Sequence, residues 1–201
     1  MKLMLGSLSL ALLVGFLLGG HLHNLSGVHL RWTGLAIAGF ALQFVAGPGT
    51  TLPLACLYIS FVLLTTFALA NIRVVGFPVI LAGIAMNFLV IGVNQGMPVA
   101  EQALAASGQI DTLDDLIDNP YPKHHLASQD DLVVFLGDVI ALPQPIGQAI
   151  SVGDIFTYGG VGVVIVAGMR AHAARREDEG ESKEPDRMAR GDTGTLEHAQ
   201  H

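Results

Sequence analysis

Five long apolar runs constrain the fold of this chain more than any other feature. They cover residues 3–20, 33–46, 52–70, 74–93 and 152–169, and none contains Lys, Arg or Glu. A bilayer core about 30 Å thick needs about 20 mainly apolar residues in a helix, so each run is a candidate transmembrane helix. The second run is the shortest and needs flanking residues or an oblique path to span. The high hydrophobic content, 51%, with only 13% charged residues, is unusual for a soluble domain.

We therefore predict an all-α membrane protein, a bundle of about five transmembrane helices with an extracytoplasmic loop region that carries short helices or a hairpin. The predicted divisions are a four-helix transmembrane region at 1–93, the loop at 94–151, a fifth helix at 152–170 and a disordered cytoplasmic tail at 171–201. Disorder is expected because the tail is highly charged and has few apolar residues. The single cysteine, Cys56, excludes an intramolecular disulfide.

The distribution of basic residues predicts how the chain crosses the membrane. Short cytoplasmic loops are enriched in Lys and Arg. Arg31, Arg73 and Arg170 fall in connections that lie on one side if the N-terminus is outside, whereas Lys2 favours the opposite orientation. We expect a plasma membrane protein with its N-terminus outside, its C-terminus in the cytoplasm and residues 94–151 outside. The net charge of −7 makes nucleic acid an improbable partner.

Two aspartates occur in similar sequence motifs, L-G-D-V-I with Asp138 and V-G-D-I-F with Asp154. Asp138 lies among apolar neighbours, and a carboxylate there needs a partner or a proton, since desolvation raises its pKa. Asp154 is the third residue after Ser151, which fits a capping box at the start of the last helix. For each residue alone, a structural role is the simpler interpretation.

The two acids together suggest a catalytic alternative. The segment between them, "ALPQPIGQAI", is expected to reverse the chain and bring Asp138 and Asp154 within reach of each other. Two carboxylates that share a site do not both ionise easily, so one keeps a proton while the other acts as a base. Asp138 and Asp154 are therefore a candidate catalytic dyad.

Other polar residues of the loop are candidate ligand contacts: Asn94, Lys123, His124 and His125. Lys123 is the only basic residue of the loop and suits an anionic lipid headgroup or a peptide carboxylate. His124 and His125 face opposite ways on a strand and make a poor chelate, so we predict no metal and no cofactor. Within the fourth run, Asn87 is expected to hydrogen-bond to a neighbouring helix.

Four sequence motifs occur in the order typical of one protein family: "NQGMPV", "KHH", "FLGDVIALP" and "ISVGDI". The chain resembles, over residues 1 to about 170, the bacterial multipass membrane proteins known as domain of unknown function 5317. This resemblance implies a protein of the bacterial envelope and supplies no activity.

A more limited likeness is to lipoprotein signal peptidase (signal peptidase II), an intramembrane aspartyl protease. "FLGDVI" is similar to its first aspartate word, "ISVGDI" to its second, and "NQG" to its N-x-G. The likeness implies that Asp138 and Asp154 form the dyad and that Asn94 helps to place the substrate. The chain lacks that family's G-N-x-x-D-R word and the two helices between N-x-G and the first acid.

Two functions follow from these patterns. In the first, the protein is a non-enzymatic envelope module in which the acids organise the loop for a membrane peptide or protein partner. In the second, it is an aspartyl hydrolase that acts at the outer leaflet. The sequence favours the first and does not indicate an oligomeric state. A transporter is disfavoured because the runs hold no intramembrane ion pair.

Overall fold

The computed structural model describes residues 2–45, 53–118 and 123–191, and its architecture is mostly helical, as predicted. The described residues form these α-helices: α1 Lys2–Leu17, α2 Thr33–Val45, α3 Pro53–Ala70, α4 Phe77–Asn94, α5 Glu101–Ser107, α6 Ile110–Asp118 and α7 Val152–Gly191. They also form four short strands: β1 Met97–Val99, β2 His124–Leu126, β3 Ile140–Leu142 and β4 Gln148–Ile150.

Two of the helices are long and apolar enough to cross a membrane. They are α4 and the Val152–Ala171 part of α7. The fully described apolar stretches of the other helices are shorter, Lys2–Leu17, Thr33–Gln43 and Leu54–Ala70. The 16 residues of α1 lie just below the range of about 17–25 residues that a transmembrane helix needs. By length and composition together, two of the five predicted spans are supported.

The apolar helices pack side by side in the order α1, α7, α4, α3, α2. Glycines allow α4 and α7 to approach closely. A Cβ at Gly160 would lie 2.7 Å from the backbone nitrogen of Ile80, and one at Gly83 would lie 2.6 Å from the backbone nitrogen of Thr157. These positions exclude any larger residue unless the helices separate.

Basic residues gather at one end of this bundle. The side chain of Asn71, after α3, accepts a hydrogen bond from the N–H of Arg31 at 2.8 Å and donates one to its carbonyl oxygen at 2.9 Å. Asn24, after α1, donates to the carbonyl oxygen of Met169 at 2.7 Å. Arg31, Arg73 and Arg170 therefore lie in connected segments at the end opposite to the start of α7.

The described residues of 94–151, which we name the cap, fold at the other end of the bundle. Strands β1 and β2 pair in parallel, and β3 and β4 form an antiparallel hairpin. Helices α5 and α6 pack on these strands around a small apolar core of Val99, Ala103, Leu104, Leu116 and Ala149. The predicted short helices and hairpin are thus both present. Within residues 131–142 a 3-10 turn, Val134–Leu136, precedes strand β3.

The last helix extends further than the composition predicts. Helix α7 continues as helical backbone to Gly191, whereas we expected disorder from residue 171. The segment contains Ala, Arg, Glu and Lys, which have high helix propensity even when they bury no apolar surface. The final ten residues of the expected tail lie outside the described residues.

Candidate functional site

Asp154 caps the start of α7. Its backbone N–H donates to Ser151 Oγ at 2.9 Å, and the Ser151 N–H donates to Asp154 Oδ2 at 3.3 Å. This reciprocal pair is the predicted capping box, and the carboxylate lies at the positive end of the helix dipole. The capping role foreseen for Asp154 is confirmed.

Asn87 joins this capping box to the neighbouring helix, α4. Its Nδ2 donates to Asp154 Oδ1 at 2.9 Å, and its Oδ1 accepts a hydrogen bond from Ser151 Oγ at 2.9 Å. The predicted interhelical role of Asn87 is therefore confirmed. Its partners were not predicted, since no sequence pattern relates residue 87 to residue 154. Both carboxylate oxygens of Asp154 are thus engaged by protein donors.

Asp138 is held by the backbone of the cap. Its N–H donates to the carbonyl oxygen of Pro98 at 3.0 Å, and its own carbonyl oxygen accepts from the N–H of Ala100 at 3.1 Å. The residue forms a parallel bridge with Val99 at the end of β1. The preceding Gly137 packs so closely that a Cβ there would collide with the carbonyl oxygen of Pro98.

The carboxyl group of Asp138 is buried and incompletely paired. The residue is 9% exposed, and its Oδ1 has no hydrogen-bond partner among the described residues. Its Oδ2 lies 3.8 Å from Nε2 of His124, too far for a hydrogen bond. Burial, aided by the charge of Asp154 and opposed by that of Lys123, raises the pKa of Asp138 to about 8. At neutral pH the group therefore carries a proton.

Strand β2 and the residue before it place His124 and Lys123 beside β1. The carbonyl oxygen of Lys123 accepts from the N–H of Met97 at 2.8 Å, and His124 is in register with Met97. Burial lowers the pKa of the Lys123 amine, although the charges of Asp138 and Asp154 favour its protonated form. Although 39% of the His124 side chain remains accessible, the surrounding protein lowers its pKa to about 4 by desolvation, aided by the charges of Lys123 and His125.

His125 lies on the opposite side of β2, as the alternation of a strand predicts. Its Nε2 is 2.8 Å from Asp131 Oδ1, and Asp131 Oδ2 accepts from the N–H of Ser128 at 2.7 Å and from its hydroxyl at 3.1 Å. Burial raises the pKa of Asp131, but these hydrogen bonds outweigh burial and lower it overall. This turn is separate from Asp138, and the pairing of His125 with Asp131 was not predicted.

The side chain of Asn94 supports the cap by hydrogen bonds to the backbone. Its Nδ2 donates to the carbonyl oxygens of Val90 at 2.9 Å and Leu132 at 2.8 Å, and its Oδ1 accepts from the N–H of Leu132 at 2.7 Å. The polar atoms of the side chain are thus bound to the backbone. The proposed contact of Asn94 with a substrate remains a prediction.

The predicted site residues therefore separate into groups. Lys123, His124 and Asp138 come together around β1, and Asp154 lies near enough for its charge to raise the pKa of Asp138. No hydrogen bond joins the carboxyl groups of the two aspartates, both of which are within the described residues. Among the described side chains, no group of three or more His, Cys, Asp or Glu is placed to hold a metal ion.

The chemistry of this cluster suits an anion. Lys123 supplies a cation, and a protonated Asp138 supplies an O–H donor that lacks an acceptor when the proton is on Oδ1. His124, neutral at pH 7, adds a ring nitrogen with an accessible edge. We name Lys123, His124 and Asp138 the cap cluster.

Comparison with known proteins identifies the family of the chain. No curated protein and no solved structure matched it significantly. A family of unknown function (DUF5317) matches residues 27–166, which include the cap cluster, Asn87 and Asp154. Because the match covers more than half of the 201 residues, the chain belongs to the DUF5317 family.

Proposed function

We propose that the protein is a multi-pass membrane protein whose cap is an extracytoplasmic binding module for an anionic group, a carboxylate or a phosphate. The ligand contacts Lys123, His124 and Asp138, while Asp154 and Asn94 hold the cap on the helices. The observation that carries this proposal is the buried Oδ1 of Asp138, which finds no hydrogen-bond partner in the part of the chain that the structure describes. A buried polar atom without a partner is costly, and a ligand or water that pairs with it recovers that cost.

Exposed apolar side chains support the membrane placement. Large residues on the bundle are open to the surroundings, among them Leu17 at 76%, Ile37 at 71% and Leu10 at 61%. Contiguous apolar surface of this kind is unusual on a soluble monomer. The gathering of Arg31, Arg73 and Arg170 at the end opposite to the cap supports a cytoplasmic position for that end.

The state of Asp154 favours binding over hydrolysis. In an acid pair that activates water, one carboxylate must be free to accept a proton from the water. Here the oxygens of Asp154 already accept hydrogen bonds from Asn87 and Ser151. Each oxygen keeps a second lone pair, but within the described residues the carboxylate already serves as helix cap and interhelical tie, and no hydrogen bond joins it to the carboxyl group of Asp138.

An aspartyl hydrolase is the second candidate, because the carboxyl group of Asp138 is protonated at neutral pH and lies near Asp154. In that mechanism Asp138 donates its proton to the substrate carbonyl and Asp154 accepts one from the attacking water. The test is replacement of each Asp by Asn in cells. Accumulation of an uncleaved membrane-embedded substrate, with the variant stably inserted, would favour the hydrolase over the binding module.

The binding proposal is tested by calorimetry on the full-length protein in detergent micelles. The probes are N-acetyl-dialanine, which has a free carboxylate, its C-terminal amide, and inorganic phosphate. We expect the carboxylate or the phosphate to bind and the amide not to bind. Lys123→Gln should weaken the affinity by about ten-fold, since hydrogen bonds to charged groups contribute roughly 1.5–3 kcal/mol. Lys2→Gln is the matched control.

The pH dependence adds a second measurement. Ionisation of Asp138 above about pH 8 places a negative charge against the ligand, so affinity should fall there. Asp138→Asn stays neutral and should bind equally well on both sides of that pH. Failure of both anions to bind the folded wild-type protein would refute the proposal.

Topology is tested separately. A reporter fused after Met169 should behave as cytoplasmic, and one inserted near Gly108 should behave as external. The opposite result would place the cap in the cytosol and exclude an extracytoplasmic ligand.

A further inference from the structure

A long groove lies between α1 and α7. It encloses about 970 Å³, and most of its lining is apolar. Leu10 and Val14 of α1 form one wall, and Val163 and Val166 of α7 form the other. This volume is at the upper end of the range for pockets that hold small molecules.

Glycines give the groove its depth. Gly159 and Gly162 both line it. A Cβ at Gly159 would meet no atom within 4 Å, and one at Gly162 would meet only the Cβ of Ala11 at 3.7 Å. These glycines are therefore not explained by close helix packing, unlike Gly83 and Gly160, and they leave room for a ligand.

Arg170 gives the groove a charged end. The residue lines it together with Leu18 and Gly19, where α1 ends and the apolar part of α7 is complete. Arg170 is exposed and makes no ion pair with a carboxylate in the described part of the chain. Tyr158 lines the groove twelve positions earlier, about 18 Å away along the helix at 1.5 Å per residue.

We propose that this groove binds one acyl chain of an anionic phospholipid, with the lipid phosphate on Arg170. The charge of Arg170 at the end of an apolar groove is complementary to such a lipid. A guanidinium group also matches the geometry of a phosphate. On the topology proposed above, on which this inference rests, the lipid comes from the cytoplasmic leaflet, which is where anionic lipids attract basic residues.

The test is photolabelling of the full-length protein in vesicles of equal parts phosphatidylethanolamine and phosphatidylglycerol. The probe is phosphatidylglycerol with a diazirine in its acyl chain, and mass spectrometry locates the adducts. We expect adducts on the groove-facing residues of α1 and α7. Resistance to carbonate extraction establishes membrane insertion for each variant. If the wild-type protein is extracted by carbonate, the proposed membrane placement fails, which is distinct from failure of the lipid site.

Two variants separate the site from general lipid contact. Gly159→Leu adds a side chain to the groove at a position where the Cβ meets no atom within 4 Å, and it should remove most of the α1–α7 labelling. Gly92→Leu is its matched control, because Gly92 lies on α4 and a Cβ there also meets open space. Arg170→Gln should lower the labelling by phosphatidylglycerol about five-fold, whereas Arg73→Gln at the same end should not.

Three results would overturn the inference. The first is groove labelling that Gly159→Leu and Arg170→Gln leave unchanged in the inserted protein. The second is equal labelling by a phosphatidylcholine probe. The third is an absence of lipid adducts on the groove-facing residues of the inserted wild-type protein, which would leave the groove to another occupant such as a second copy of the chain. Should Gly159→Leu not insert, the Arg170→Gln comparison decides alone.

Discussion

Asn87 on α4 donates a 2.9 Å hydrogen bond to the carboxylate of Asp154 on α7. The same carboxylate receives the Ser151 N–H, so one acid caps a helix and also ties it to its neighbour. Asp154 is thereby the point at which the cap, α4 and α7 meet. A residue with this role is sensitive to mutation even if it never touches a ligand.

Asp154→Ala is expected to destabilise the protein by about 2–4 kcal/mol. The loss of a helix cap costs about 1 kcal/mol, and the unpaired Asn87 amide adds about 1–3 kcal/mol. The free energy of unfolding in mixed detergent micelles measures the change. Asp130→Ala, at an exposed position of the cap, is the control and should change the stability little. Equal stability of the Asp154 variant and the wild type would contradict the structural role.

Gly83→Ala is expected to destabilise the contact between α4 and α7. The added Cβ would lie 2.6 Å from the backbone nitrogen of Thr157, and overpacking of this kind costs about 1–3 kcal/mol. Gly92→Ala on the same helix is the control, because a Cβ there meets no atom within 4 Å. It should leave the stability unchanged or raise it by up to about 1 kcal/mol through helix propensity. The melting temperatures of both variants are measured in one detergent. Equal melting temperatures for the Gly83 and Gly92 variants would refute the close packing.

Wild-type stability should fall as the pH rises from about 6.5 to about 8; between about pH 4 and pH 6.5 the lowered pKa of His124 opposes the effect of Asp138. Asp138 has a pKa of about 8 in the folded protein, whereas an unfolded aspartate has a pKa of about 3.9. Between these values Asp138 holds one more proton in the folded state than in the unfolded state, so its titration favours unfolding as the pH rises, by at most about 1.4 kcal/mol per pH unit. Above about pH 8 both states are ionised and this dependence ends.

Asp138→Asn removes that titration and is the direct check. The variant should be more stable than the wild type at pH 7, and the advantage should shrink as the pH approaches 4. Melting temperatures measured from pH 4 to pH 9 test this. Parallel curves for the two proteins would mean that Asp138 is ionised in the folded protein and that the cap cluster is not as described.

Several of these relationships were predictable from sequence because they are local. The Ser151–Asp154 capping box spans four residues, and the opposite orientation of His124 and His125 follows from the geometry of one strand. The polar side chain of Asn87 within an apolar run predicted an interhelical hydrogen bond. In each case the pattern and its physical cause lie within a few residues.

The position of Asp138 was not predictable in the same way. It depends on a parallel bridge to Val99, 39 residues earlier in the chain, and on β1 and β2, which have three residues each. Strands this short have no detectable alternation, and a parallel pairing needs a long connection that leaves no turn signature. Likewise, apolar runs indicated where helices lie, but not that α1, with 16 residues, would be shorter than α4, with 18.

Asp131→Asn is expected to loosen the turn that follows β2, with a pH dependence opposite to that of Asp138. The pKa of Asp131 is lowered in the folded protein, so its carboxylate stabilises the turn above the pKa of an unfolded aspartate. That stabilisation is lost as the pH falls through the lower, folded value. Faster hydrogen exchange at Ser128 in the variant near pH 7, converging with the wild type in acid, is the expected result.

The effect of Asp131→Asn should reach the cap cluster through β2. Asp131 is hydrogen-bonded to His125, which directly follows His124 in the chain. Because a looser turn leaves β2 less fixed, the ring of His124 is positioned less well for contact with an anion. We expect weaker binding of inorganic phosphate without a shift of the pH near 8 at which binding is lost, because Asp138 itself is unchanged. Asp130→Asn is the control, since Asp130 neighbours Asp131 but its side chain makes no hydrogen bond in the described residues. A variant with normal exchange at Ser128 and normal phosphate affinity would show that the turn and the cap cluster are independent.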